Sequence, residues 1–276
     1  MKKTILFTAL AALCLVGCKS KQDEPQAAQQ VTFNVSNFSA TTEPMDSPAK
    51  APSSLIDGEE AMTDLYLFDG TTQLAHQTND QQDFGTISVM LSLGSHNLHF
   101  IATRSTGLGV SNGVLTCSSL RNTFGKTVAL NVSGSSEENI TLERLTGRLY
   151  ITIDDAIPTG AANLHIAIGN RYTSLDVQTL YGVSPEASAF DIDLTSKVGN
   201  TGYSINLWML APDADGYETT FTLTATNGSQ QVIGSATGTM TIAPNTKTLL
   251  HGNLFSGTRS FVALNTSWNA DIEETF

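Results

Sequence analysis

The side chains that could hold a metal ion are few and widely spaced in this sequence. Its five histidines are scattered, and the nearest two, His96 and His99, would point to opposite faces of a strand. Asp213 and Asp215 precede Gly216 as in part of a calcium loop, but the distal glutamate of such a loop is missing. These carboxylates are therefore predicted to form a tight acidic hairpin turn, and no metal site is expected.

The acidic pair Asp154 and Asp155 is the other candidate for catalysis. It lies shortly before Pro158, where a strand would end, and neighbouring strand residues face apart. No Gly-x-Ser-x-Gly nucleophile elbow, no phosphate-binding loop and no pairing of a cysteine with a histidine is expected from the sequence. We therefore predict that the protein is not an enzyme and needs no cofactor.

A reactive thiol is nevertheless expected near the start of the chain, at Cys18. Two lysines and an apolar run from Ile5 to Val16 precede it, which is the order found in a signal peptide. The segment Leu15-Val16-Gly17-Cys18 resembles a bacterial lipobox, so residues 1–17 are predicted to be a lipoprotein signal peptide and Cys18 to be lipidated. The alternative is an ordinary signal peptide with a chance cysteine. Acyl chains on Cys18 would tether the mature protein to the outer membrane.

Residues 18–30 are polar, contain Pro25 and have no apolar periodicity, which predicts a flexible tether.

The composition of the chain restricts the classes of molecule that it can bind. The net charge of −12 with 14 Lys and Arg argues against binding to nucleic acid. Once Cys18 is lipidated and Cys14 has left with the signal peptide, Cys117 has no partner for a disulfide. Stability must then come from packing.

Alternation of apolar and polar residues predicts an all-β protein. Val31, Phe33 and Val35 share one face of a first strand that we place from Val31 to Ser39. The same period recurs in DLYLFD, HNLHFIAT, RLYITID, NLHIAIGN, SINLWML, TTFTLTATN and QVIGSATGTMTI, mostly separated by turn residues. SSLRNTF could hold a short helix, but no longer helix is indicated.

So many strands exceed the number in one small sandwich, so we predict two domains. A polar run precedes a fresh series of strands near NITLERLTGRLYITID. We therefore place an N-terminal β-sandwich domain at residues 31–144 and a C-terminal β-sandwich domain at residues 145–276. No strict internal repeat is visible.

Several segments, in this order, resemble the fimbrillins of Bacteroidetes, the FimA-like lipoprotein subunits of type V pili. They are VTFNVSNFSATTEPM, MTDLYLFDG, LERLTGRLYITIDDAIP and PNTKTLLHGNLFSG followed by FVALNTSWNADIE. The resemblance implies two transthyretin-like β-sandwich domains in tandem, export as a lipoprotein, and assembly with other fimbrial subunits by donor-strand exchange. In that family a protease removes the first strand after a basic residue, and a terminal strand of another subunit fills the groove.

The resemblance assigns roles to particular residues of this chain. Fimbrillins are usually cleaved after arginine, but here Lys50 is the only basic residue between the first strand and DLYLFD. Cleavage between Lys50 and Ala51 would release the strand that carries Val31, Phe33 and Val35. The alternative is a solvated loop lysine, in which case an uncleaved subunit would cap or anchor a pilus.

The C-terminal segment is the candidate donor strand. Val262, Leu264 and Trp268 would share one face of that strand. The alternative, a permanent last strand of the second domain, fits this pattern equally well.

A glycan-binding surface lipoprotein is the main rival function. That role favours exposed aromatic side chains. Here Trp208 and Trp268 both fall in apolar strand patterns, and aromatic residues make up only 7% of the chain. A structural subunit of a cell-surface fimbria, contributing to adhesion, is therefore the preferred prediction.

Overall fold

The computed structural model describes residues 28–36 and 62–256, together with the backbone of residues 261–267. β-Strands dominate these ranges, and their only helical segment is one 3₁₀ turn at Thr195–Lys197. Residues 118–124 do not form the short helix that the sequence suggested. Ser119 instead pairs with Thr106 in a β-bridge, and a strand begins at Thr123. In the described ranges, no helix is long and apolar enough to span a membrane.

The first half of the chain folds into two packed sheets. One sheet has the order β4-β1-β9 and the other the order β10-β8-β5-β2-β3. Their facing side chains, among them Phe33, Leu67 and Phe100, form one hydrophobic core. The strands are β1 (Ala28–Ser36), β2 (Asp64–Asp69), β3 (Thr72–Thr78), β4 (Thr86–Ser92), β5 (Gly94–Thr103), β6 (Gly109–Ser111), β7 (Val114–Thr116), β8 (Thr123–Val132), β9 (Ser136–Thr141) and β10 (Glu143–Arg144).

The second half forms a second sandwich. Its sheets have the orders β16-β11-β19-β20 and β15-β12-β17-β18, and residues such as Ile151, Leu223 and Met240 fill the space between them. The strands are β11 (Gly147–Ile153), β12 (Ala161–Arg171), β13 (Ser174–Asp176), β14 (Gly182–Val183), β15 (Glu186–Asp193), β16 (Tyr203–Met209), β17 (Tyr217–Asn227), β18 (Val232–Ile242), β19 (Thr246–Gly252) and β20 (Phe261–Ser267).

The two sandwiches have the same strand topology. In the first, β1 is antiparallel to β4 and parallel to β9, and in the second, β11 is antiparallel to β16 and parallel to β19. The facing sheets also correspond, since β3-β2-β5-β8 matches β15-β12-β17-β18. The chain therefore contains a structural repeat that is not visible as a sequence repeat.

A third cluster of buried side chains joins the two sandwiches. Tyr66 and Phe68 on β2 face away from the first core and pack with Leu175 and Trp208 from the second half. A fifth sheet, β14-β13-β7-β6, also crosses between the halves, with Leu175 opposite Leu115. The boundary between residues 144 and 145 stays a prediction.

The first strand begins earlier than the sequence analysis placed it. β1 starts at Ala28, so the last residues of the predicted tether 18–30 belong to the sheet, and its described part ends at Ser36. Gln29 and Gln30 pair with Leu91 and Met90 of β4. Backbone pairing does not require apolar side chains, and alternation alone therefore missed these residues.

Candidate subunit interface

Strand β1 lies in the middle of its sheet, although it comes first among the described strands. It pairs along one side with β4, from Ala28 to Asn34, and along the other with β9, from Val31 to Ser36. Removing β1 would leave a gap between β4 and β9 with unpaired backbone groups on both sides. Such edges are templates for the addition of another strand.

The apolar face of β1 is part of the first core. Val31 and Phe33 are 0% exposed and Val35 is 8% exposed. The Phe33 ring packs against Phe100 of the opposite sheet, with centroids 5.1 Å apart and planes at 67°. The predicted face of the first strand is therefore present, and all three of its apolar side chains contribute to this core.

The outer face of β1 carries polar contacts that fit its register. The Thr32 and Ser88 hydroxyls are hydrogen-bonded at 2.9 Å, and the Asn34 side-chain amide donates to Glu137 at 2.6 Å. These contacts lie at the surface, where a hydrogen bond contributes little net stability. The binding energy of this strand position therefore comes mainly from the apolar side chains and the backbone ladder.

The candidate donor strand corresponds to β20, at the edge of the second sandwich. Its backbone is antiparallel to β19, with Val262 opposite His251 and Leu264 opposite Leu249. Within the described part of the chain, the other side of β20 has no partner strand. Trp268, the third residue of the predicted donor face, lies outside the described residues.

The remaining residues assigned by resemblance also lie outside the described ranges. These are the predicted lipidation site Cys18 and the predicted cleavage point between Lys50 and Ala51. Their roles stay predictions.

The described histidines do not form a cluster, and the two on β5 are hydrogen-bonded to side chains of neighbouring strands. His96 lies 2.6 Å from an oxygen of Asp69, and His99 is buried with its ring nitrogen 3.0 Å from the Thr127 hydroxyl. The hydrogen bond to Asp69 raises the pKa of His96, whereas burial lowers the pKa of His99. No cluster of three metal-ligating side chains occurs in the ranges that the structure describes.

Asp155 has a structural role that the sequence analysis did not assign. Strand β11 ends at Ile153, as expected for this acidic pair. The Asp155 carboxylate then accepts backbone N–H groups of residues 254–256 at 3.0, 2.8 and 2.7 Å. Burial opposes ionisation of Asp155, but these hydrogen bonds outweigh it and hold its pKa below the ordinary value. Asp154 contacts His251 at 3.0 Å.

The acidic turn at Asp213 differs from the predicted hairpin. Its carboxylate accepts the backbone N–H groups of Asp215 and Gly216, both at 3.0 Å, which is an Asx turn. The flanking strands β16 and β17 belong to different sheets and do not pair with each other. The turn therefore connects the two layers of the sandwich, and the expectation of a hairpin was wrong.

Residues 109–113 nevertheless read Gly-Val-Ser-Asn-Gly, which matches the Gly-x-Ser-x-Gly pattern of hydrolases, so the pattern is present in the sequence although no elbow was expected. A nucleophile elbow requires a turn from a strand into a helix. Here β6 and β7 form a hairpin instead, with Asn112 and Gly113 at φ of 51° and 74°. The serine is exposed on this hairpin, and the geometry is not that of the elbow.

Trp208 is buried and does not form a stacking platform at the surface. It is 6% exposed and belongs to the cluster that joins the sandwiches. The Arg148 guanidinium lies over its ring at 4.6 Å, and that of Arg144 lies at 5.8 Å. Trp208 therefore lies buried on strand β16, within the apolar strand pattern in which the sequence placed it.

Comparison with known proteins adds evidence on the fold. No protein-family model and no curated protein matches the chain. A crystal structure of a candidate adhesin from Bacteroides ovatus superimposes with a TM-score of 0.51 at 7% identity, covering 85% of this chain and 88% of the other. This chain therefore shares the fold of that Bacteroides protein, and the expected all-β architecture is confirmed.

Two other solved structures from Porphyromonas gingivalis were also found. The fimbrial anchor protein Mfa2 gives a TM-score of 0.47 at 11% identity, covering 88% of this chain and 98% of its own. The tip fimbrial protein Mfa3, with a C-terminal truncation, gives 0.44 at 10% identity, covering 88% and 99%.

Proposed function

We propose that this protein is a structural subunit of a cell-surface fimbria that assembles by donor-strand exchange and contributes to adhesion. The observation that carries the proposal is the central position of β1 in the sheet β4-β1-β9. A first strand that fills the middle of a sheet can be replaced by an equivalent strand from a neighbour without changing the rest of the fold. The shared fold with a candidate adhesin supports this proposal.

The energetics of β1 favour exchange over simple loss. Full burial of an apolar side chain contributes about 1.5–3 kcal/mol, so Val31, Phe33 and Val35 together contribute about 5–9 kcal/mol. The net stability of a domain is only about 5–15 kcal/mol. A subunit without β1 would therefore lose much of its stability until a donor strand restored it.

The covalent connections of β1 also suit its removal. The segment between Ser36 and Met62 contains Lys50 and Ala51, so a cut there separates β1 from the remainder of the sandwich. In the second sandwich the corresponding strand β11 follows β10 after two residues, and no comparable segment is available. Under this proposal, an uncleaved chain acylated at Cys18 stays on the outer membrane as an anchor or accessory subunit.

The donor in this proposal is the C-terminal segment that includes Val262, Leu264 and Trp268. As an edge strand, β20 is hydrogen-bonded to one neighbour, whereas β1 is hydrogen-bonded to two. Releasing β20 from its own subunit therefore breaks the backbone hydrogen bonds to one strand. Inserting it between β4 and β9 of another subunit forms backbone hydrogen bonds to two strands. The gain in backbone pairing would favour polymerisation.

The glycan-binding alternative has less support in the described surface. The exposed large apolar side chains there are Met90, Val110, Val198 and Val232, and none of them is aromatic. A flat aromatic platform for neutral sugar rings is therefore not evident in those ranges.

Assembly can be tested by removing β1 and measuring the size of the product. A specific protease site placed at Lys50–Ala51 should allow cleavage, after which light scattering should show the chain forming oligomers. A matched variant that also ends after Ser256 lacks β20, so after cleavage its groove can be filled only by its own β1 and it should not form these oligomers. A cleaved full-length chain that stays a stable monomer would contradict the proposal.

The processing steps have their own test. Mass spectrometry of the protein from cells should find either a chain beginning at Ala51 or one beginning at an acylated Cys18. The first product identifies a polymerising subunit, and the second identifies an anchor or accessory subunit. A mature terminus elsewhere, without acylation, would refute both assignments.

A further inference from the structure

A polar cleft of about 210 Å³ lies where the two halves of the chain meet. One wall is the segment that follows β7, and the other is formed by the end of β12 and the start of β15. We call this the junction cleft. Its polar lining residues include Ser118, Ser119, Arg171, Thr173, Glu186 and Ser188.

The junction cleft contains a positive charge that the described residues do not neutralise. One terminal nitrogen of Arg171 donates to the Trp208 carbonyl at 3.1 Å, but its Nε is buried and has no hydrogen-bond partner. No carboxylate in the described ranges forms an ion pair with Arg171. Arginine stays protonated in proteins, so this charge requires either water or an anionic ligand.

A second unsatisfied group lies in the same wall. The Ser188 hydroxyl is buried and has no hydrogen-bond partner. Ser118, Ser119 and Thr173 add further hydroxyls to the lining, and the Ser118 hydroxyl donates to the Thr106 carbonyl while its lone pairs stay available. The lining therefore combines one guanidinium with several groups that exchange hydrogen bonds with alcohols.

One negative charge opposes an anion in this position. Glu186 lies opposite Arg171 in the pairing of β12 with β15, yet it is exposed and forms no ion pair with that arginine. An anionic ligand in the cleft would therefore experience repulsion from Glu186. Replacing Glu186 by glutamine should strengthen binding.

We propose that the junction cleft binds a small polyhydroxy carboxylate of the hexuronate class. In this arrangement the carboxylate interacts with Arg171, and the ring hydroxyls interact with Ser188 and the other lining hydroxyls. The cleft is smaller than the about 300–1,000 Å³ typical of drug-sized sites, so it suits one acidic sugar residue. Its lining has no aromatic side chain, which disfavours a neutral sugar that depends on stacking. This inference does not depend on strand exchange.

Titration calorimetry of the full-length chain, purified in detergent, with sodium glucuronate provides the test. Glucuronate should bind, whereas glucose, which lacks the carboxylate, should not. Arg171→Met should weaken glucuronate binding about tenfold to a hundredfold, as expected for a charged hydrogen-bonded pair. Lys197→Gln removes the same charge outside the cleft and should leave the affinity unchanged.

A second variant keeps the test valid if Arg171→Met does not fold. Ser188→Ala removes a hydroxyl that has no protein partner, so it should not lower the melting temperature, yet it should weaken glucuronate binding about threefold to tenfold. Equal binding of glucose and glucuronate would overturn the proposal, as would unchanged affinity in both variants.

Two further outcomes would also overturn it. An acidic peptide with the sequence DIEETF, taken from the end of this chain, is the competing ligand. If that peptide binds and glucuronate does not, the cleft is a docking site for a second copy of the chain. If neither binds at millimolar concentration, water neutralises Arg171 and the cleft is not a ligand site.

Discussion

Replacing Phe33 by alanine tests whether β1 is essential to the first core. The ring is 0% exposed and contacts Phe100 in an edge-to-face arrangement, so truncation removes a full aromatic side chain and leaves a cavity. Comparable substitutions of phenylalanine in protein cores lower the free energy of unfolding by about 3–5 kcal/mol. With a urea dependence of about 1–3 kcal/mol per M for a small domain, the midpoint should fall by about 1 M or more.

The measurement is urea unfolding followed by circular dichroism, with the transitions of the two sandwiches fitted separately. Thr32→Ala is the matched control, because Thr32 lies on the same strand but faces outward and makes one surface hydrogen bond. It should cost less than about 1 kcal/mol. If Phe33→Ala cost no more than Thr32→Ala, β1 would be a dispensable strand and the argument for exchange would fail.

Three other predictions concern charge and backbone conformation. Because the folded-state pKa of Asp155 is lowered, the stability that Asp155 contributes should be lost as the pH falls below about 4. Asp155→Asn should remove this pH dependence and should lower the free energy of unfolding at neutral pH by about 1–3 kcal/mol. Urea unfolding at several pH values measures the pH dependence and the loss of stability. The raised pKa of His96 gives the opposite pH dependence. The stability that His96 contributes should be complete below about pH 6.5 and should be lost as the pH rises through its folded-state pKa. Asp69→Asn should abolish that pH dependence and lower the pKa of His96. If nuclear magnetic resonance titration gave the same His96 pKa in the wild type and in Asp69→Asn, this prediction would be contradicted. Gly216→Ala should lower the melting temperature more than Gly228→Ala. Gly216 has φ +82°, and a Cβ added to it would collide with the backbone around residue 242, whereas a Cβ added to Gly228 would have no other atom within 4 Å.

The strands with strict alternation were the easiest to predict. The patterns around Val31, Leu149 and Leu223 indicated strands, and β1, β11 and β17 occupy those positions. Alternation places apolar side chains on one face, and this depends on local geometry alone. Strands with mixed or polar sequences, such as β3 and β9, were missed, since their pairing depends on neighbours that are distant in sequence.

For strand β2, the sequence did not show which face packs against the core of the first sandwich. Leu65 and Leu67 face the first core, whereas Tyr66 and Phe68 face the cluster between the sandwiches. Leucines alternate with aromatic residues along this strand, so neither of its faces is clearly polar in the sequence. Only the fold showed that the second face packs against Leu175 and Trp208.

The amino-acid sequence by itself determined the all-β class, the apolar face of the first strand and the acidic character of the chain. The tertiary structure decided that β1 lies between β4 and β9, that both sandwiches share one topology, and that Arg171 and Ser188 lie in one cleft. The physical reason is the range of the interactions. Side-chain alternation is set by adjacent residues, whereas strand order and clefts arise from hydrogen bonds and packing between segments that lie far apart in the chain.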